Sequence, residues 1–300
     1  MKLRLGTRSS LLATTQSRQV ASALEALGHS CELVTISTLG DEITDKPFAE
    51  VGPPGVFVRE IEQALLNGTI DLAVHSYKDL PTTSPAGLCI AAVPERMDPA
   101  DVLIIDQRFL LATEAEALPL ARAARVGTSS ARRRALLHDL RPDIEVAPLR
   151  GNVPTRLRKC REQDFAAIIL AAAGLERLGS AANEAMQGLK LQRLDPASFV
   201  PAPSQGALAV QVREDSPARA LIAAIDNSRA HLSAHTERQV LAALEGGCQT
   251  AIGVWLAWHD QGCTLHAALE RNGKLCRSYA TGQPNSLDRL TAQIIEELSA

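Results

Sequence analysis

Two stretches of the chain place reactive residue types beside neighbours that leave them room. In Asp71-Leu72-Ala73-Val74-His75-Ser76-Tyr77-Lys78-Asp79-Leu80-Pro81 an apolar run gives way to a polar loop. Pro81 biases Leu80 toward extended geometry and stops a helix from starting there, so Asp79 is expected to project near the carboxyl end of a strand. A carboxylate so placed can take part in catalysis. It can equally cap a turn or pair with its neighbour Lys78. In Glu245-Gly246-Gly247-Cys248-Gln249 two glycines lack the side chains that would hold a bulky group away from the sulfur. Most cysteines are structural, and that alternative stands beside a functional role for Cys248.

The remaining candidates grip anions. Of 31 basic residues, 25 are arginine and 6 are lysine, and arginine holds a carboxylate through a planar fork that lysine lacks. Genome composition also favours arginine in so Ala-rich a chain, so the positions matter more than the count. Gly6-Thr7-Arg8-Ser9-Ser10 and Gly127-Thr128-Ser129-Ser130 each stand where a strand hands over to a helix. Unpaired N–H groups, the positive end of the helix dipole and hydroxyl donors converge at such a turn. Ordinary helix capping by serine or threonine is the plain alternative. Arg8 lies in the first turn, and Arg132, Arg133 and Arg134 follow the second. A third junction, Leu149-Arg150-Gly151-Asn152-Val153-Pro154-Thr155-Arg156-Leu157-Arg158-Lys159, has Pro154 suited to a first helical turn and Arg150 and Arg156 flanking it. A lone basic helix would simply be a solvated face.

These turns presuppose a repeated scaffold. Lys2 to Leu5 reads as a strand and Leu11 to about Leu27 as a helix; Arg125-Val126 ends a strand and Ala131 to Leu140 is helical. The helix Arg59 to Leu66 leads into the strand Asp71 to His75, as Pro154 to Arg161 leads into Phe165 to Leu170. The repeat spans about 100 to 120 residues, far beyond solenoid periods. It predicts two α/β domains, each a doubly wound sheet with ligand contacts at the carboxyl ends of its strands. Pro94 to Asp101 reads as a hinge and Val200 to Gly206 as a second crossing, after which a strand at Ala207 to Val212 returns to the first sheet. Beyond Asp226 a helix from about Ser233 to Leu244, two or three alternating strands and a closing helix predict a small α+β domain. The expected boundaries are residues 1–95 with 206–224, residues 99–200, and residues 228–300.

Composition removes several classes. The 300 residues are 46% hydrophobic and 22% charged with a net charge of −3, which suits a soluble globular chain. Aromatic residues make up 3%, too few for a base-stacking nucleic-acid module. No apolar run approaches the roughly 18 residues a membrane span needs, and the longest, Ala166 to Leu175, reads as a buried strand with its exit loop. Charge at Lys2, Arg4 and Arg8 falls where a signal peptide would turn apolar, which predicts a cytoplasmic protein. Six cysteines without CxxC spacing predict reduced thiols, and no zinc or other metal site is expected.

Taken together, His75 to Pro81, Val126 to Ser130 with Arg132-Arg133, Leu149 to Val153 with Thr155-Arg156, and Leu244 to Gln249 resemble the porphobilinogen deaminase family. They occur in the family's order and, with Gly6-Thr7-Arg8 and Gln205-Gly206-Ala207, cover nearly the whole chain. The resemblance implies two periplasmic-binding-protein-like domains and a third carrying a dipyrromethane cofactor joined to Cys248 by a thioether. Four porphobilinogen units would be added with loss of ammonia, and water would release hydroxymethylbilane, to be passed to a uroporphyrinogen-III synthase by a monomeric enzyme. Asp79 is the implied catalytic carboxylate. Arg8, Ser10, Lys78, Thr128, Ser129, Ser130, Arg132, Arg133, Arg150, Arg156, Arg177 and Gln205 would hold cofactor or substrate carboxylates. The chain departs from the family at Gly52-Pro53-Pro54-Gly55, where a lysine is usual at Pro54, and has Arg59 for a frequent lysine. Pro203-Ser204-Gln205-Gly206 replaces Val-Gly-Gln-Gly, and Thr250-Ala251 replaces Val-Pro. The competing reading is a non-catalytic anion receptor or effector-binding domain of the periplasmic-binding type, which leaves the third domain and Cys248 unexplained.

Overall fold

The computed structural model describes residues 1–37, 58–111, 118–244 and 250–300. They divide into one unit of Met1–Met97 with Ser204–Arg238 and another of Asp98–Pro203 with Gln239–Ala300.

In the first unit β1 (Lys2–Thr7), α1 (Leu11–Ala26), β2 (Ser30–Thr35), α2 (Arg59–Leu66), β3 (Leu72–Ser76) and β4 (Leu88–Ala92) follow in order, and β10 (Leu208–Arg213) returns from far along the chain. The sheet order is β2-β1-β3-β10-β4. Strands β1, β2 and β3 are parallel, whereas β10 runs antiparallel to β3 and β4. Alternation along β3 sends Leu72 and Val74 to a core shared with Val20, Ala21 and Leu24 of α1. Ala73 faces the other way, toward Ile61 and Leu65 of α2. Both faces of the sheet are therefore covered by helices, as expected of a doubly wound arrangement.

The second unit repeats the plan. Its strands are β5 (Asp101–Asp106), β6 (Arg125–Gly127), β7 (Glu145–Ala147), β8 (Ala167–Ala171) and β9 (Leu189–Arg193), in the order β7-β6-β8-β5-β9. Here β6 is parallel to β7 and β8, and the antiparallel member is β5. Its helices are α3 (Ala131–Leu140), α4 (Val153–Glu162), α5 (Ala172–Leu178) and α6 (Ser180–Ala185). Position for position the sheets match, except that the first takes its antiparallel strand after the excursion and the second takes it before.

A short helix α7 (Arg219–Ile222) and the long α8 (Ser228–Leu244) precede an antiparallel meander of β11 (Ile252–His259), β12 (Gly262–Arg271) and β13 (Lys274–Gly282), closed by α9 (Leu287–Ser299). Leu287, Leu290, Ile294 and Leu298 follow helical spacing and cover one face of that meander. Ala268 and Trp255 on its other face join the core of the second sheet. Asn272-Gly273 makes the two-residue hairpin turn, both residues at positive φ.

Two expectations need correction. The run through Leu175 does not leave β8 by a loop: α5 begins at Ala172, directly after the strand. Helix α8 starts at Ser228 instead of about Ser233, because the Asn227 carboxamide accepts the Ala230 N–H at 2.9 Å and caps the helix early.

Where β11 meets the 200–201 segment the backbones nearly touch. Val254 donates its N–H to the Pro201 carbonyl at 2.9 Å, and a Cβ placed on Gly253 would lie 2.5 Å from the Val200 carbonyl oxygen. Gly253→Ala must push two backbones apart. We expect it to cost roughly 1–3 kcal/mol, measured as a lowered urea midpoint. Unchanged stability would mean the segments part freely.

Candidate functional site

In the parallel part of the first sheet, strand ends share one edge, and the sequence candidates of this unit gather there. β1 leads through Thr7 and Arg8 to Ser10, whose hydroxyl accepts the Ala13 N–H at 3.3 Å and caps α1. Capping, the plain alternative for this turn, is thus present; Arg8 beside it is half-buried. Next to β1, β3 ends at Ser76 and turns through one 3-10 turn, Tyr77–Asp79, closed by the Leu80 N–H on the Tyr77 carbonyl at 3.2 Å. Leu80 is extended, as the following proline requires. Asp79 is exposed at the tip.

The ammonium of its neighbour Lys78 donates to the Gln205 carboxamide oxygen at 3.2 Å. Gln205 is fully buried, just before β10. The preceding Ser204 has φ 63°, a conformation glycine adopts without steric cost. The glycine that the resemblance leads one to expect here would take that angle freely. Here the strained serine is held by its N–H on the Glu237 carboxylate at 2.6 Å. Below the edge, His75 is buried against Gln211, 3.1 Å away; burial, with the charge of Arg8 adding, lowers its pKa to about 4 and keeps the imidazole neutral.

In the second unit the carboxyl edge carries the arginines. Ser130 caps α3 by accepting the Arg133 N–H at 3.4 Å, and Thr128 accepts the Ser130 N–H at 3.2 Å. The Ser129 hydroxyl both donates to the Leu149 carbonyl and accepts its N–H, which ties this turn to the exit of β7. There Arg150 precedes Gly151 at φ 116°, and the Asn152 carboxamide caps α4. Arg156 turns back to donate to the Gly151 carbonyl at 2.7 Å. Arg177, on α5 just past β8, is mostly buried, and burial brings its pKa down to about 10.

The sequence treats Arg132 and Arg133 as twin carboxylate grips, and the structure separates them. Both are buried around Asp101, the first residue of β5 and itself fully buried. Arg133 uses Nε and Nη2 on one Asp101 oxygen, at 3.0 and 2.7 Å, and Nη1 on the Ile169 carbonyl. Arg132 uses Nη1 alone, on the other Asp101 oxygen at 2.7 Å and on the Val200 carbonyl at 2.8 Å. Arg133 thus grips Asp101 through two nitrogens, and Arg132 grips it through one. Sequence reasoning missed Asp101. The one available signal was a charge opening the otherwise apolar strand Val102–Ile105.

Cys248, its Glu245–Gln249 loop and Gly52 to Gly55 lie outside the described residues. Of the other cysteines, burial pushes the Cys160 thiol up to about 12 and raises Cys31, Cys89 and Cys263 as well, which makes each a poor nucleophile. Among the described residues no helix is long and apolar enough to cross a membrane, and no three His, Cys, Asp or Glu side chains come together to hold a metal.

Residues 3–220 match the family model described as porphobilinogen deaminase, dipyromethane cofactor binding domain. A porphobilinogen deaminase of Syntrophobacter fumaroxidans is 48% identical, covering 99% of this chain and 94% of its own. One of Moorella thermoacetica is 43% identical over 100% of this chain and 94% of its own. Among solved structures, an ancestral cationic amino acid solute-binding protein aligns with a TM-score of 0.43 and 14% identity, over 75% of this chain and 87% of that one.

Proposed function

The chain belongs to the porphobilinogen deaminase family, and we infer from that membership a transferase that condenses four porphobilinogen molecules with loss of ammonia and releases hydroxymethylbilane for porphyrin and heme biosynthesis. The competing receptor reading is set aside, because full-length relatives are deaminases. A dipyrromethane cofactor, when bound, supplies the pyrrole carbon to which the first substrate unit is joined.

The residues present suit such a group. Each pyrrole bears an acetate and a propionate, and the second unit offers Arg132, Arg150, Arg156 and Arg177 at the carboxyl edge of its sheet, beside the capped turns at Ser130 and Asn152. That row of guanidiniums is the observation that carries the reading, since planar forks at helix starts are built to hold carboxylates. In the first unit Arg8, Ser10, Lys78 and Gln205 would likewise serve as groups that hold carboxylates. Asp79 would stabilise the positive charge that develops on the substrate's methylene carbon as ammonia leaves, and move protons to or from the departing amine and the pyrrole nitrogens. Thr128 and Ser129 hold the turn in place. Arg133 acts through Asp101 to keep Arg132 aligned.

Cys248 is the attachment residue in this reading, supported by its two preceding glycines and by the raised pKa of four other thiols. The enzyme would work as a cytoplasmic monomer and pass its product to a uroporphyrinogen-III synthase. Denaturing mass spectrometry of protein from a host that makes porphobilinogen tests the attachment. The wild-type chain should exceed its 32.0 kDa sequence mass by two pyrrole units, and Cys248→Ser should return to the bare mass. Extra mass persisting in Cys248→Ser would move the linkage to another residue, and a bare wild-type chain would remove it.

A further inference from the structure

Two consecutive residues of α8, Glu237 and Arg238, reach the two sides of the Lys78-Asp79 pair. Glu237 is fully buried and takes a two-pronged ion pair from Arg96 at 2.7 and 3.0 Å. It also accepts the Ser204 N–H at 2.6 Å, while Arg96 Nε donates to the Gln205 carbonyl at 2.9 Å. This side fixes Gln205, and through its carboxamide the Lys78 ammonium. On the other side the buried Arg238 guanidinium donates to the carbonyls of Tyr77 at 3.3 Å, Leu80 at 3.1 Å and Pro81, and lies 4.6 Å over the Tyr77 ring. These carbonyls precede and follow Asp79. A short turn with one internal hydrogen bond would otherwise have little to fix its orientation.

We propose that Arg238 is a positioning residue for Asp79: it clamps the backbone on both sides of the carboxylate and so sets where that carboxylate points. The planar guanidinium suits this, since it serves several carbonyls at once while its face stacks on Tyr77. Lysine at the same place has one compact donor head. The proposal rests on the reading of Asp79 as catalytic, and the experiment separates the two.

Arg238→Met keeps the aliphatic bulk and the helix propensity. In the cofactor-loaded enzyme it should lower kcat by about 10- to 100-fold, as a displaced catalytic group does, with KM for porphobilinogen changed by less than about twofold. Amide exchange at Leu80 should quicken, and Arg238→Lys should recover part of kcat. In an Asp79→Asn background the same Arg238→Met change should cost less than about a further twofold, because nothing is left to position. Wild-type kcat in Arg238→Met, or an equal proportional loss in the Asp79→Asn background, would overturn the proposal. So would a loss confined to thermal stability and cofactor loading, with normal kcat per loaded chain. Should Asp79→Asn alone turn over normally, the reading of Asp79 falls, and unaltered exchange at Leu80 in Arg238→Met would then remove the clamp as well.

Discussion

Asp79→Asn leaves a folded, cofactor-loaded chain whose turnover drops by about 10²–10⁴-fold, the range contributed by a positioned acid or base. The side chain is exposed at the tip of the Tyr77–Asp79 turn, and substitutions at such sites usually change stability by no more than about 0.5 kcal/mol. The turn is fixed by its backbone and its flanks, which the substitution does not touch: the Leu80 N–H on Tyr77, and Lys78 on Gln205. Asparagine keeps the shape and removes the negative charge and the proton acceptor. Any loss therefore reports chemistry at the carboxylate, and unchanged mass with an unchanged melting profile confirms that the scaffold is intact. Asp79→Glu keeps the charge on a longer arm and should fall between the two. Near-normal release of hydroxymethylbilane by Asp79→Asn would sink the assignment.

What could be read from the chain was what local rules govern. Ser10, Ser130 and Asn152 cap helices where strand-to-helix turns were expected, because capping needs only residues three apart. The return of β10 to the first sheet was visible as an apolar run after the Pro201-Pro203 crossing. Distant pairing was not visible. The sequence grouped Arg132 with Arg133 because they are adjacent, but their different duties depend on Asp101, 31 and 32 residues away and brought alongside by β5 pairing with β8. The Arg238 contact to Tyr77 spans 161 residues, and no spacing rule anticipates it. Ser204 looked like a simple departure from a glycine, and its meaning lies in a backbone angle that a sequence does not display.

The buried Asp101 triad supplies the other large effect. One carboxylate faces two guanidiniums, all three side chains almost wholly out of water. Burial alone would raise the Asp101 pKa; the charges and hydrogen bonds of Arg132 and Arg133 outweigh it and hold the carboxyl well below the usual carboxylate range. Asp101→Ala strands two buried cations and should cost about 3–5 kcal/mol at pH 7. Urea unfolding followed by tryptophan fluorescence measures this in the right unit, since Trp255 and Trp258 both lie in the half of the molecule that contains Asp101. The sign with pH follows from the lowered folded-state pKa. The ionised carboxylate stabilises the fold fully above its unfolded value of about 3.9, and that contribution fades as pH falls through the lower folded value. The gap between wild type and Asp101→Ala should therefore be constant from about pH 5 upward and narrow only below about pH 4. Equal stability at pH 7 would show that the triad does not hold β5 to α3. Replacing all three, as Asp101→Leu with Arg132→Met and Arg133→Met, should regain much of the lost stability, because an apolar trio of similar volume avoids the desolvation cost. It should still fail to load dipyrromethane, having lost the Arg132 guanidinium. Stability recovered with loading lost would assign the buried charges to ligand binding instead of to the fold; loading in that variant would take Arg132 out of the cofactor site.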